Sequence, residues 1–247
     1  MMLKQIGTIA VAAAALVGCK KKDDAGGGAA KGVDSDLPEE IARWMPANAQ
    51  QLWQGTWQAR LTLKTSGAMS MAGDPAAITI KDDKATAFDG KDEKQLDFAI
   101  KKPCEAAFML KTPDGATYTF SKKFAINNGK LEVGEGAVGM RKGKAAVICA
   151  NGMDALYTLD DAGKCLAWSD FGHSWKSKPA TCTWSQKDGK DVLTAGQGDF
   201  APTLVADGDL LKSEQFAGEA KDLQFKPAAD YAAAKQWATD EAKKHAQ

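Results

Sequence analysis

The sequence predicts a mainly β protein, an antiparallel barrel or sandwich, with a short helix before the strands and a longer one after them. Three observations predict it. Apolar and polar residues alternate with period two over many short runs. These runs recur every 8 to 12 residues or so and are separated by hairpin-type turn residues. Helix signals occur only near the two ends of the region from residue 37 onward.

The first helix opens at Asp36-Leu37-Pro38-Glu39-Glu40, where Asp36 suits the cap, Pro38 the first turn, and the two glutamates the positive end of the helix dipole. Pro46 disfavours helix at the residue before it and ends the segment near Met45. From Trp57 the period changes: Trp57, Ala59, Leu61 and Leu63 fall on one face, Gln58, Arg60, Thr62 and Lys64 on the other. Runs 77–81 and 84–88 flank Asp82-Asp83, and run 95–101 sets Leu96, Phe98 and Ile100 on one side. Runs 106–112 and 117–124 flank Pro113-Asp114-Gly115, in which proline fixes φ and glycine takes the positive φ that a tight turn needs. Further strands are expected at 130–133, 137–141, 145–149, 155–159, 164–168, 181–186, 191–195 and 203–205. The breaks include Asn127-Asn128-Gly129, Lys142-Gly143-Lys144, Asp160-Asp161-Ala162-Gly163 and Lys187-Asp188-Gly189. The last element, 228–246, is an alanine-rich helix starting after Pro227, with a thin apolar stripe of Tyr231, Ala234, Ala238 and Ala242 and Trp237 beside it. So thin a stripe packs on the β region through only a few side chains.

The N-terminus sets the address. Lys4 precedes a mostly apolar run from Ile6 to Gly18, the pattern of a secretory signal and too short for the roughly 20 residues of a membrane-spanning helix. Leu16-Val17-Gly18-Cys19 resembles the bacterial lipobox. The resemblance implies lipid transfer to the Cys19 sulfur, cleavage before Cys19 and acylation of the new N-terminus with a chain such as palmitate, which together anchor the protein to a membrane. In the enteric form of this system an Asp after the lipidated Cys retains the protein in the inner membrane. Lys20 stands there, which implies the outer membrane, facing the periplasm or the cell surface. Residues 19–36 read as lipidated cysteine and flexible tether: beyond Val33 they offer almost no apolar surface to offset the entropy of ordering. Residues 37–226 read as the β-rich domain and 227–247 as the closing helix.

Without residues 1–18 the chain has 229 residues and loses one charge, Lys4, leaving 31 basic against 32 acidic side chains. A nearly neutral body carries no global attraction for nucleic acid, and no nucleic-acid partner is expected. Beyond Cys19 the cysteines are Cys104, Cys149, Cys165 and Cys182, an even number that in an exported chain reads as two disulfides. Three pairings are open. The 16 residues between Cys165 and Cys182 make that the preferred pair, leaving Cys104 with Cys149. No CxxC pair occurs, and the two histidines, His173 and His245, are far apart in sequence, so neither a zinc site nor any other cofactor is expected.

Gly55-Thr56-Trp57, at the start of the first strand and after a helical segment, resembles the Gly-x-Trp opening of lipocalins and related calycins, in which the tryptophan plugs one end of an up-and-down barrel. The late helix also looks like the one that follows a lipocalin barrel. The resemblance implies a cavity for a small apolar ligand, although the candidate strands outnumber the eight of such a barrel.

No GxSxG, HExxH or P-loop pattern is present. Gly134 to Gly139 fits GxGxxG in form but lacks the strand-to-helix setting that gives those glycines a phosphate to approach. Asp154, Asp160, Asp161 and Asp170 lie near turns and read as turn and surface acids. No residue is assigned to catalysis or to metal binding. The segment between Cys165 and Cys182 is the most distinctive: Trp168, Phe171, His173 and Trp175 are expected to form an exposed contact surface on a tied loop. The expected function is a membrane-anchored envelope lipoprotein that binds a small apolar ligand or an envelope protein. An envelope hydrolase acting on glycan or ester, and a purely structural envelope protein, are the alternatives.

Overall fold

A computed structural model describes residues 37–61, 73–151, 156–170, 174–213, 216 and 225–244. Among these the chain forms three short to medium helices and seventeen strands in two antiparallel sheets. The mainly β expectation holds, and the alternation of side chains along each strand is what divides the core.

The first sheet contains β1 (Gly55–Arg60), β2 (Pro75–Lys81), β3 (Lys84–Phe88), β4 (Glu93–Lys102), β5 (Glu105–Lys111), β6 (Thr117–Asn127) and β7 (Lys130–Gly134) as a continuous meander. An eighth strand, β17 (Phe225–Pro227), returns from the far end of the sequence and pairs with β1, Trp57 opposite Pro227 and Ala59 opposite Phe225. Because β17 also approaches β7, the sheet curls into a near-barrel. Its interior is built from the expected faces: Trp57, Ala59 and Leu61; Ile78 and Ile80; Leu96, Phe98 and Ile100; Phe108; Phe124; Val133; Phe225.

Two one-turn helices precede β1: α1 (Glu39–Ala42), begun by Pro38, and α2 (Ala49–Leu52), which the sequence did not announce. Helix α2 delivers Trp53 into the near-barrel, where it is fully buried. Helix α3 (Tyr231–Lys244) starts later than expected, because Pro227 is still engaged in β17. The Asp230 side chain accepts the Ala233 backbone N–H at 2.8 Å and caps it. Ala234 and Ala238 pack on Ala77 of β2, with Phe88, Tyr231 and Trp237 around them, so the thin stripe does dock through a few side chains.

The second sheet is inserted between β7 and β17. It comprises β8 (Val138–Lys142), β9 (Ala145–Cys149), β10 (Leu156–Leu159), β11 (Cys165–Asp170), β12 (Trp175–Ala180), β13 (Cys182–Lys187), β14 (Lys190–Ala195), β15 (Thr203–Asp207) and β16 (Leu210–Lys212). The hydrogen-bonded order is β12-β11-β10-β9-β8-β16-β15-β14-β13. Its two outermost strands, β12 and β13, are separated in sequence by Thr181 alone. The sheet therefore curls into a half-barrel pinched at that residue. Strand β9 is buried on both faces: Ala146 and Ile148 line the concave interior, while Val147 and Cys149 face the first sheet. A glycine in β8 lets these strands pair closely, since a Cβ on Gly139 would sit 2.2 Å from the Val147 carbonyl oxygen. The formal GxGxxG is thus the crossing between the sheets: Gly134 ends β7, Gly136 turns with φ +86°, and Gly139 lies in β8.

Candidate functional site

The sheets meet where the β4–β5 turn and β6 of the first approach β8 and β9 of the second. Ile41 of α1, Cys104, Ala125, Val138, Val147, Leu156 and Trp168 pack into one cluster there, and Cys104 is bonded to Cys149 across it. Beside this apolar seam lies a polar cleft of about 470 Å³, lined by Lys102, Glu105, Ser121, Lys122, Lys123, Gly134, Glu135, Gly136, Ala150 and Asn151.

Strand register builds its charges. The β4–β5 turn sets Lys102 opposite Glu105, and the β5–β6 ladder sets Glu105 opposite Lys123. The Glu105 carboxylate pairs with the Lys102 ammonium at 3.3 Å and with that of Lys123 on its other oxygen. The three side chains are only 8–12 % exposed. Lys102 also lies over the Trp175 ring, 5.8 Å from its centre. Alternation turns Lys122 to the interior side of β6 with Phe120 and Phe124. It is buried, and its ammonium pairs with Glu135 of the crossing at 3.4 Å.

Burial pushes the Glu105 carboxyl up, but the charges of Lys123 and Lys102 and their hydrogen bonds outweigh it and hold the group below the usual glutamate range. Burial also pulls Lys122 below the usual lysine range, against the opposing pull of Glu135. A carboxyl whose pKa is lower folded than unfolded adds stability that is complete above its unfolded value and is lost as pH falls through the folded value. Unfolding free energy is therefore expected to drop as pH is lowered from the usual glutamate pKa through the depressed one. The drop should be smaller in Glu105→Gln. Denaturant titrations of both proteins over that range check this, and parallel pH profiles would contradict it.

A second concavity, about 460 Å³, lies at the pinched end of the half-barrel between Tyr157, Ala167, Lys178, Pro179, Ala180, Thr181, Gly196 and Gln197. Cys165 is bonded to Cys182 on the same sheet, giving the preferred pairing. Most of the segment those cysteines enclose is strand rather than loop: β11 pairs with β12, Cys165 opposite Ala180 and Asp170 opposite Trp175. Trp168 does not lie on an exposed surface: it is 6 % exposed, and its indole N–H donates to the Thr158 hydroxyl at 2.7 Å. The reason is its place in β11, where it shares with Leu166 the face turned toward the first sheet, while Cys165 and Ala167 turn inward. Trp175 is partly exposed beside that seam; Phe171, His173 and Cys19 lie outside the described residues.

The near-barrel interior is occupied by aromatic side chains. Trp53 lies with its ring centre 5.2–6.3 Å from those of Trp57, Phe98, Phe108, Phe124 and Phe225. Asp160 acts in its turn, accepting the Lys164 backbone N–H at 2.8 Å, and Asp161 and Asp170 are exposed; Asp154 lies outside the described residues. Sequence reasoning missed the Lys102–Glu105–Lys123 cluster, whose only advance signal is the turn between β4 and β5.

No family model, no curated protein and no solved structure matches this chain.

Proposed function

We propose that this chain is an exported lipoprotein, anchored in the cell envelope through Cys19, whose two-sheet body acts by binding a ligand or an envelope protein. The observation that carries the reading is the pairing of all four cysteines beyond Cys19 into two disulfides, a state that persists in oxidising compartments and is rare in a reducing cytosol. The signal-like run and Leu16-Val17-Gly18-Cys19 support the same address, and Lys20 favours the outer membrane. The state of Glu105 speaks against its serving as a general acid. A general acid needs a carboxyl held protonated, and here two ammonium groups hold it ionised. With the near-barrel filled around Trp53, the cleft between the sheets and the concavity at Thr181 are the places to look for a bound molecule.

Replacing Cys19 by Ser is expected to move the protein from the membrane pellet to the soluble fraction or to leave its signal uncleaved. Cell fractionation with intact-mass measurement reads both. A Cys19→Ser form that is processed and pelleted like the wild type would exclude the anchor.

A further inference from the structure

We infer that the cleft between the two sheets binds a small anionic ligand, its carboxylate or phosphate seated against Lys102 and Lys123. This deepens the binding reading above and rests on it, but not on the lipid anchor.

Charge carries the argument. In the Lys102–Glu105–Lys123 triad, two ammonium groups share one carboxylate, so the group carries a net charge of +1 with each side chain about nine-tenths buried. A net charge held that far from water is costly unless an opposite charge joins it. The neighbouring Lys122–Glu135 pair is neutral and supplies none. Among the described residues the triad is therefore one negative charge short of balance, and the cleft opens directly onto it.

Shape and lining give the rest of the ligand. About 470 Å³ falls within the range of roughly 300–1,000 Å³ typical of small-molecule sites. The Ser121 hydroxyl, the Asn151 amide and the backbone at Gly134 and Gly136 offer donors and acceptors rather than apolar walls. Those partners suit a polar, hydroxyl-bearing body of about monosaccharide size carrying one acid group. Lys102 can move toward such a group without leaving Glu105 unpaired, because Lys123 stays on its other oxygen. The seat belongs to both sheets: Lys102, Glu105 and Lys123 come from the first, Ala150 follows β9 of the second, and Gly134-Glu135-Gly136 joins them.

The test is isothermal titration of the full chain, purified in detergent, with inorganic phosphate, D-glucuronate and D-glucose at matched ionic strength. Phosphate, glucuronate or both should bind, and glucose should not; whichever binds names the acid. Lys102→Gln should weaken that binding about tenfold or more, the loss of one charge-assisted contact. Ser121→Asp sets a fixed carboxylate on the same strand face as Lys123. It should abolish binding and raise the melting temperature. Ser121 is exposed, so this variant keeps the test valid if Lys102→Gln does not fold.

The inference is overturned if neither acid binds, or if both variants bind like the wild type. Mass spectrometry of the natively purified protein separates the two levels. A co-purifying neutral molecule would overturn the anion while sparing the binding reading. The absence of both heat and a co-purifying molecule or protein would remove both.

Discussion

Trp53→Ala is expected to cost about 3–5 kcal/mol of unfolding free energy, the range for deleting a large buried aromatic. Trp53 has no exposed surface, and its ring touches five other aromatics drawn from β1, β4, β5, β6 and β17. The side chain is supplied by a one-turn helix outside the sheet, so its removal leaves a cavity that no strand can close without losing register. Trp53→Phe should cost clearly less. Among the described residues its indole N–H has no hydrogen-bond partner, so phenylalanine forfeits volume but no bond. Urea unfolding midpoints of the two variants check this. A Trp53→Ala cost near that of Trp53→Phe would mean that the interior collapses onto the gap.

The second large effect is expected from the bond between the sheets. Replacing both Cys104 and Cys149 by alanine opens a crosslink with a sequence separation of 45 residues, against 17 for Cys165–Cys182. Loop-closure entropy puts the first at about 4 kcal/mol and the second at about 3 kcal/mol. The first also joins the β4–β5 turn of one sheet to β9 of the other, so its loss frees motion between sheets, whereas the second acts within one sheet. Thermal unfolding of the two double variants under non-reducing conditions should place the Cys104/Cys149 variant lower. The reverse order would show that the Cys165–Cys182 hairpin contributes more than its loop length.

The strands were legible in the sequence where one face is buried and the other wet. Trp57, Ala59 and Leu61 alternate with Gln58 and Arg60 because only the first set meets the aromatic core. Strand β12 escaped notice because Trp-Lys-Ser-Lys-Pro-Ala has almost no buried face, and lysine and proline are what an edge strand uses to discourage further pairing. Strands β16 and β17 have three residues each, too few to show a period, and are strands only because β8 and β1 await them. The division into two sheets was not readable either, since it depends on β8 choosing β16 from far along the chain. The candidate site was hidden for the same reason. Lys102 and Glu105 are near in sequence, but nothing local says that Lys123 lies opposite Glu105. Trp168 misled because it clusters in sequence with Phe171, His173 and Trp175 between two cysteines, which reads as a tied contact loop, when the strand face it occupies is covered by another sheet.

The insertion of one sheet within the other governs the order in which the molecule can be completed. The first and last strands of the inserted sheet, β8 and β16, lie side by side, so that sheet can form from a contiguous stretch of chain. The near-barrel cannot: β1 begins at residue 55 and its neighbour β17 at residue 225. A ribosome or translocase that delivers the chain from its N-terminus presents seven strands of the near-barrel long before the eighth. Throughout that interval Trp53 lacks Phe225, its nearest aromatic neighbour at 5.2 Å, and the open side of β1 remains available to other extended chains. Delivered in that order, the inserted sheet has all its strands before the near-barrel does, and the older end of the polypeptide waits on the newest for its final seal.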